Sequence, residues 1–154
     1  MATGNNFYDI TKVIKDGLLN GPFTNTVTYG NITEVDLNKT TIFPLAHMNI
    51  VNADFNENTW TYDFDILVMD IVDWSNEDEV NNLVGNDNTF DILNTQQAVC
   101  GRLLGELKRG NIAINGYELE DGATCEPFQE RFENHLAGWN LQFSVTVANS
   151  IPIC

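Results

Sequence analysis

The sequence predicts an α+β domain in which two helices pack on a mainly antiparallel sheet. Two observations lead to this class. Apolar residues recur at helical spacing in segments 7–19 and 90–109, whereas apolar and polar residues alternate in several other segments. The chain has 154 residues, 43% of them hydrophobic, which is enough to bury one core without disulfides or metals. We therefore expect residues 1–154 to form a single domain.

Each predicted helix carries one apolar stripe and has recognisable end signals. The first ends before Gly21 and Pro22, and the second ends in Lys108 and Arg109, whose charges complement the helix dipole. The stripes consist of Phe7, Ile10, Ile14 and Leu18 in the first helix and of Leu93, Cys100, Leu103, Leu104 and Leu107 in the second.

The remaining segments predict strands. Residues 26–37 are typical of a short extended or loop-like stretch broken at Gly30, and Pro44 indicates that a strand over 42–52 begins late or lies at an edge. Further strands are predicted over 60–72, 112–119, 126–132 and 139–147. The acidic connection 74–88 has at most a helical turn at 77–84. We expect the helices to pack on Tyr62, Phe64, Phe143 and Val145 through Ile10, Ile14, Leu103 and Leu107.

Residues 54–59 predict the tip of a long, protruding β-hairpin. The strand that follows alternates from Trp60 and becomes apolar on both faces from Ile66, as expected of a strand that enters the sheet centre. Aromatic side chains beside a polar turn are hard to bury within one domain. Phe55, Trp60 and Tyr62 are therefore the predicted oligomer-interface residues.

The charge is strongly acidic, with 22 Asp and Glu against seven Lys and Arg and a net charge of −15. Residues 40–101 hold eleven of the acidic residues and no basic one. This balance disfavours direct nucleic-acid binding, because the phosphate backbone would be repelled. The acidic stretch should face solvent, cations or a basic partner.

The sequence offers no constellation for catalysis. Nucleotide-binding and hydrolase motifs are absent, and only three Ser and two His are present. His47 or His135 could in principle act as a base for Cys125, but their spacing gives this pairing no support. The acidic run at 73–79 begins like a calcium loop yet has Asp78 in place of the required Gly. We expect no catalytic residue, no cofactor and no metal site.

The three cysteines, Cys100, Cys125 and Cys154, are an odd number and match neither a disulfide framework nor a zinc site. We expect reduced thiols that are dispensable for folding. The N-terminus does not resemble a signal peptide, and no apolar run approaches membrane-spanning length. These features predict a protein made in the cytoplasm, with no membrane partner.

The C-terminal part resembles a group of phage structural proteins. The segment 131–139, the alternating strand 140–148 and the short end 151–154 are similar to small proteins encoded in the neck and tail gene blocks of phages infecting Bacteroidetes, including crAss-like phages. The predicted order of elements is similar to that of tail-completion or tail-terminator proteins of tailed phages. The similarity covers most of the chain as topology but about twenty residues as motif, and it involves packing and turn positions.

The resemblance implies a virion protein that forms a six- or twelve-fold homo-oligomeric ring in the neck or tail. Such a ring joins portal or capsid to tail, contacts neighbouring ring proteins and surrounds a channel through which DNA passes without specific binding. It implies no catalytic residues. An alternative from another class is an acidic cytoplasmic phage protein that mimics nucleic acid or inhibits a DNA-binding protein; a mimic should be a monomer or dimer without apolar arms.

Overall fold

The computed structural model describes residues 6–31, 42–72, 89–110, 116–131 and 136–148. Two helices and six strands lie in these ranges, and the strands form one mostly antiparallel sheet, so the predicted α+β class is confirmed. In chain order the elements are α1 (Asn6–Leu19), β1 (Thr26–Tyr29), β2 (Leu45–Phe55), β3 (Thr59–Ile71), α2 (Thr89–Arg109), β4 (Glu118–Leu119), β5 (Thr124–Arg131) and β6 (Leu136–Ala148).

Both helices begin within one residue of the predicted start and end at the predicted residue. In α2, Asp91 lies in the first turn, while Lys108 and Arg109 lie in the last, so each end carries the charge that the helix dipole favours. Most residues of the predicted apolar stripes are buried, namely Ile10, Ile14, Leu18, Cys100, Leu103 and Leu107. Leu93 and Leu104 are partly buried, and Phe7 is 45% exposed. Neither helix is long and apolar enough to cross a membrane, as judged from the residues described.

The sheet is built around β3 and β6, which have thirteen residues each and pair antiparallel along their whole length, from Thr59 opposite Ala148 to Ile71 opposite Leu136. The strand order is β1-β2-β3-β6-β4, and β5 also pairs with β6. β1 pairs with β2 in parallel, a relation that the sequence analysis did not predict. This pair makes the sheet mixed at one edge.

Several strand ends differ from the prediction. β2 begins late, as Pro44 predicts, directly after the cis peptide bond between Phe43 and Pro44, but it continues three residues beyond the predicted end at Asn52. The turn therefore shrinks to residues 56–58, where the backbones of Asn56 and Thr59 exchange two hydrogen bonds. The predicted connection 74–88, the stretch 32–37 and residues 112–115 lie outside the described residues.

The main core lies between the helices and one face of the sheet. All eight residues predicted to join helices to sheet belong to this core, which confirms that packing. Phe64 and Phe143 stack at its centre, with ring centroids 5.1 Å apart and planes within 8°. Because such aromatic pairs contribute roughly 1 kcal/mol beyond their buried area, the contact helps to fix the register of β3 against β6.

The β2–β3 hairpin is present, but it is not a free two-stranded arm. β6 pairs with β3 right up to the turn, where Thr59 lies opposite Ala148, and β4 pairs with β6 at the same end of the sheet. The expectation of a protruding hairpin is therefore not confirmed. The physical reason is that β6 is as long as β3 and has the same alternation, so it covers the strand that was expected to project.

Candidate functional site

Strand alternation separates the sheet into a helix-packed face and an opposite face, which we call the open face. The open face has an apolar end, formed by Phe43, Leu45, Met69 and Leu136, and a polar half. No described helix lies over the polar half. Its residues are Asn49, Asn52 and Asp54 from β2, Thr61, Asp63 and Asp65 from β3, and Gln142, Ser144 and Thr146 from β6.

Asp63 is the centre of a hydrogen-bond network on the polar half. Its carboxylate accepts hydrogen bonds from the Ser144 hydroxyl and, at 3.3 Å, from the Asn52 amide. The same Asn52 amide donates to Asp54 at 3.0 Å. Neutral donors therefore hold these acidic side chains in place, and the network ties β2, β3 and β6 together on this face.

A second chain of hydrogen bonds runs toward the end of the sheet. Thr146 donates its hydroxyl proton to the Glu120 carboxylate, so the 2.9 Å contact between Thr61 and Thr146 must have Thr61 as its donor. Threonine pairs across strands are favourable on exposed sheet faces. The polar half is thus an ordered surface of hydroxyls, amides and carboxylates.

The charges are distributed unevenly between helices and sheet. The two helices hold five of the seven basic residues and only four of the 22 acidic ones, so the rest of the chain holds two basic and eighteen acidic residues. The polar half contains Asp54, Asp63 and Asp65 and no basic residue. Since the helices are almost neutral, the negative field of the protein comes mainly from the sheet and the connections.

His47 anchors the parallel strand β1 at the border of the polar half. Its Nδ1 lies 2.7 Å from the Thr28 hydroxyl, and its Nε2 lies 2.8 Å from the Gly30 carbonyl oxygen. Because the carbonyl can only accept, Nε2 carries a proton. His47 is buried, and both of its ring nitrogens are engaged in these contacts, which gives the side chain a structural role.

The three predicted interface residues form an aromatic ladder on the helix-packed side of the hairpin. Tyr62 is only 5% exposed and belongs to the core, and burial raises the pKa of its hydroxyl. Trp60 stacks on Tyr62 with centroids 6.3 Å apart and is partly buried. Phe55 contacts Trp60 edge to face at 5.1 Å and is 62% exposed. Phe55 therefore offers a partner far more surface than the other two.

The outer edge of β2 is a feature that the sequence analysis missed. β3 pairs with the inner side of β2 along its whole length, whereas β1 pairs with the outer side only up to Tyr29 opposite Met48. No described strand pairs with the outer side of β2 over residues 49–55, which we call the β2 edge. Its last five residues are exposed, and Val51, at a β-bulge, is 58% exposed. An edge with unpaired backbone groups and apolar side chains is a template for strand pairing.

The candidate catalytic residues lie apart. His47 belongs to the open face, whereas Cys125 packs against the helix-side core, so the sheet separates them; His135 lies outside the described residues. The described residues also contain no group of three or more His, Cys, Asp or Glu that could hold a metal ion. The features of the described residues that could serve a function are therefore their polar and apolar surfaces.

Comparisons with known proteins give no family assignment. No protein-family profile matches the sequence, and a search of curated proteins finds no significant relative.

Proposed function

We propose that the protein is a structural subunit of a homo-oligomeric ring in the neck or tail of a tailed bacteriophage, where it joins capsid or portal to tail around the DNA channel. The observation that carries the proposal is the β2 edge, where no strand of the described residues pairs with the outer backbone groups and where Val51 and Phe55 are exposed. Such an edge can bind a neighbouring subunit through main-chain hydrogen bonds and side-chain burial.

The sheet also has a second edge on its opposite side. Neither β4 nor β5 pairs with a further described strand beyond β6. A contact between the β2 edge of one copy and this second edge of the next copy would use two different surfaces. Contacts of that kind repeat around an axis and close into a ring when the rotation angle allows it.

The acidic open face has the properties expected of a surface that lines a DNA channel. A surface that carries Asp54, Asp63 and Asp65 and no Lys or Arg makes no ion pairs with phosphate groups, so DNA passing it would not be held. The hydrogen bonds that Asp63 accepts would keep this surface ordered. In the ring, we place the polar half toward the channel and the nearly neutral helices away from it.

Replacing Val51 by Lys and Phe55 by Ser should weaken self-association at least tenfold, about 1.4 kcal/mol per contact, because buried aromatic anchors and unprotected edges dominate such joints. Both side chains are exposed, so the monomer should keep its circular dichroism spectrum and its Tm. Sedimentation velocity across a concentration series measures the change.

The matched control replaces Leu19 by Lys and Phe90 by Ser. Leu19 and Phe90 are exposed residues of the helices, and the two substitutions change charge and apolar surface in the same way. The control should associate like the parent protein. If the parent protein and the β2-edge variant associated equally strongly, the β2 edge would not be the interface between subunits.

Self-association should strengthen as salt rises. Copies with a net charge of −15 repel one another, and this repulsion is screened over about 10 Å at 0.1 M salt. Native mass spectrometry cannot use such buffers, so light scattering from low to high salt is the better measurement. A ring held by charge pairs would instead dissociate as salt is added.

A nucleic-acid mimic is the second candidate, and the same acidic sheet surface favours it. The assembly state and the effect on a protein–DNA complex distinguish a nucleic-acid mimic from a ring subunit. A mimic should stay monomeric or dimeric at every salt concentration and should displace DNA from a basic DNA-binding protein, whereas a ring subunit should assemble without affecting that complex.

A further inference from the structure

Cys100 and Cys125 are 25 positions apart in the sequence but meet in the fold. Cys100 lies on the buried stripe of α2, and Cys125 lies on β5, where it packs against the same core. Cys100 is a member of that buried cluster, so Cys125 packs against the group of side chains to which Cys100 belongs. The spacing of the two cysteines in the sequence gives no sign of this contact.

The two thiols also line a common surface hollow of about 460 Å³, together with Asn94, Gln97 and Leu104. Cys125 is partly exposed, while Cys100 is buried beneath it. A small oxidant can therefore reach Cys125 first. Burial raises the pKa of both thiols, but the interaction with the Cys100 side chain opposes that rise for Cys125. Cys125 is thus the better nucleophile of the pair.

We propose that Cys100 and Cys125 form a reversible intramolecular disulfide that fastens α2 to β5 when the protein meets a small-molecule disulfide. The Cys125 thiolate, after losing its proton to solvent, attacks one sulfur of the oxidant and displaces one thiolate, which takes up a proton. Cys100 then loses its proton and attacks the Cys125 sulfur, which releases the second thiol. Both cysteines are oxidised, and the small disulfide is reduced to two thiols.

A disulfide between Cys100 and Cys125 would stabilise the protein, because it would link α2 covalently to β5. α2 contributes Val99, Leu103 and Leu107 to the core, and β5 pairs with β6 at the sheet centre. A bond between them closes a chain loop and removes conformations from the unfolded state. The reduced protein could fold and assemble first and be fastened afterward. The proposal does not depend on the ring function.

The test uses full-length protein with Cys154→Ser, treated with oxidised glutathione at mildly alkaline pH. Both remaining thiols should disappear, the mass should fall by two hydrogens with no glutathione attached, and the Tm should rise by about 5 to 15 °C and return on reduction. Peptide mapping should find Cys100 joined to Cys125.

Two variants identify the roles of the cysteines. Cys100→Ala/Cys154→Ser should retain one glutathione on Cys125, whereas Cys125→Ala/Cys154→Ser should stay unmodified while folded, which circular dichroism checks. A stable glutathione adduct on the Cys154→Ser protein, a bond between chains, or a lower Tm after oxidation would each overturn the proposal.

Discussion

Replacing Gly138 by Ala should destabilise the protein by at least about 3 kcal/mol, because the added methyl group meets backbone that cannot move away. A Cβ at position 138 would lie 1.9 Å from the Val68 carbonyl oxygen and 2.8 Å from the Met69 Cα. Gly138 sits in β6, opposite Met69 of β3 on one side and Phe128 of β5 on the other. Relief would require β3 and β6 to separate.

The same substitution at Gly101 is the control. Gly101 lies in α2, and apart from its chain neighbours and the nearby backbone of its own helix, no described atom lies within 4 Å of the position of an added Cβ. Alanine is a better helix former than glycine by about 1 kcal/mol, so Gly101→Ala should keep or raise stability. In thermal unfolding, the Tm should therefore fall by about 6 °C or more for Gly138→Ala and stay the same or rise for Gly101→Ala. A common Tm would mean that the strands approach less closely at Gly138.

The helices were predictable because their signals are local. The stripe of α2, its acidic first turn and its basic last turn all lie within 21 consecutive residues and agree with one another. The pairing of β1 with β2 is not local. His47 of β2 forms hydrogen-bond contacts with Thr28 and Gly30 beside this pair, and neither the residue types nor their spacing indicates those partners.

The interface prediction shows where a sequence signal was present but unused. Trp60, Tyr62 and Phe64 occupy alternate positions, so they share one face of β3, and Phe64 is a core residue. That parity already places Tyr62 beside the core. The pattern could not predict the length of β6, which pairs with β3 as far as its first residue. Phe55 is the most exposed of the three predicted residues.

The location of the polar half on the sheet could not be predicted from the sequence. Asp54, Asp63, Ser144 and Thr146 appear in the sequence as ordinary solvent-facing positions of separate strands. Only the register places Asp63 opposite both Asn52 and Ser144 and brings their donors to one carboxylate. Register depends on packing between distant segments, so the site could be predicted only as an acidic surface without a location.

Replacing Leu103 by Ala should cost about 2 to 5 kcal/mol, because it removes a fully buried side chain at the contact between α2 and the sheet. Leu103 is 1% exposed and lies in the cluster that includes Ile14, Phe64 and Phe143. Those neighbours belong to α1, β3 and β6, so the cavity would open among three elements that cannot all collapse into it. Urea unfolding should show a lower midpoint with an unchanged slope.

The control for this change is Leu104→Ala, one position along the same helix. Leu104 is partly buried at the margin of the core, and the two substitutions have the same effect on helix propensity. The loss at Leu104 should be less than half of the loss at Leu103, since the residual cavity is open to solvent. Equal losses would mean that α2 is rotated about its axis relative to the sheet, and an unchanged midpoint for Leu103→Ala would mean that this stripe does not hold α2 on the sheet.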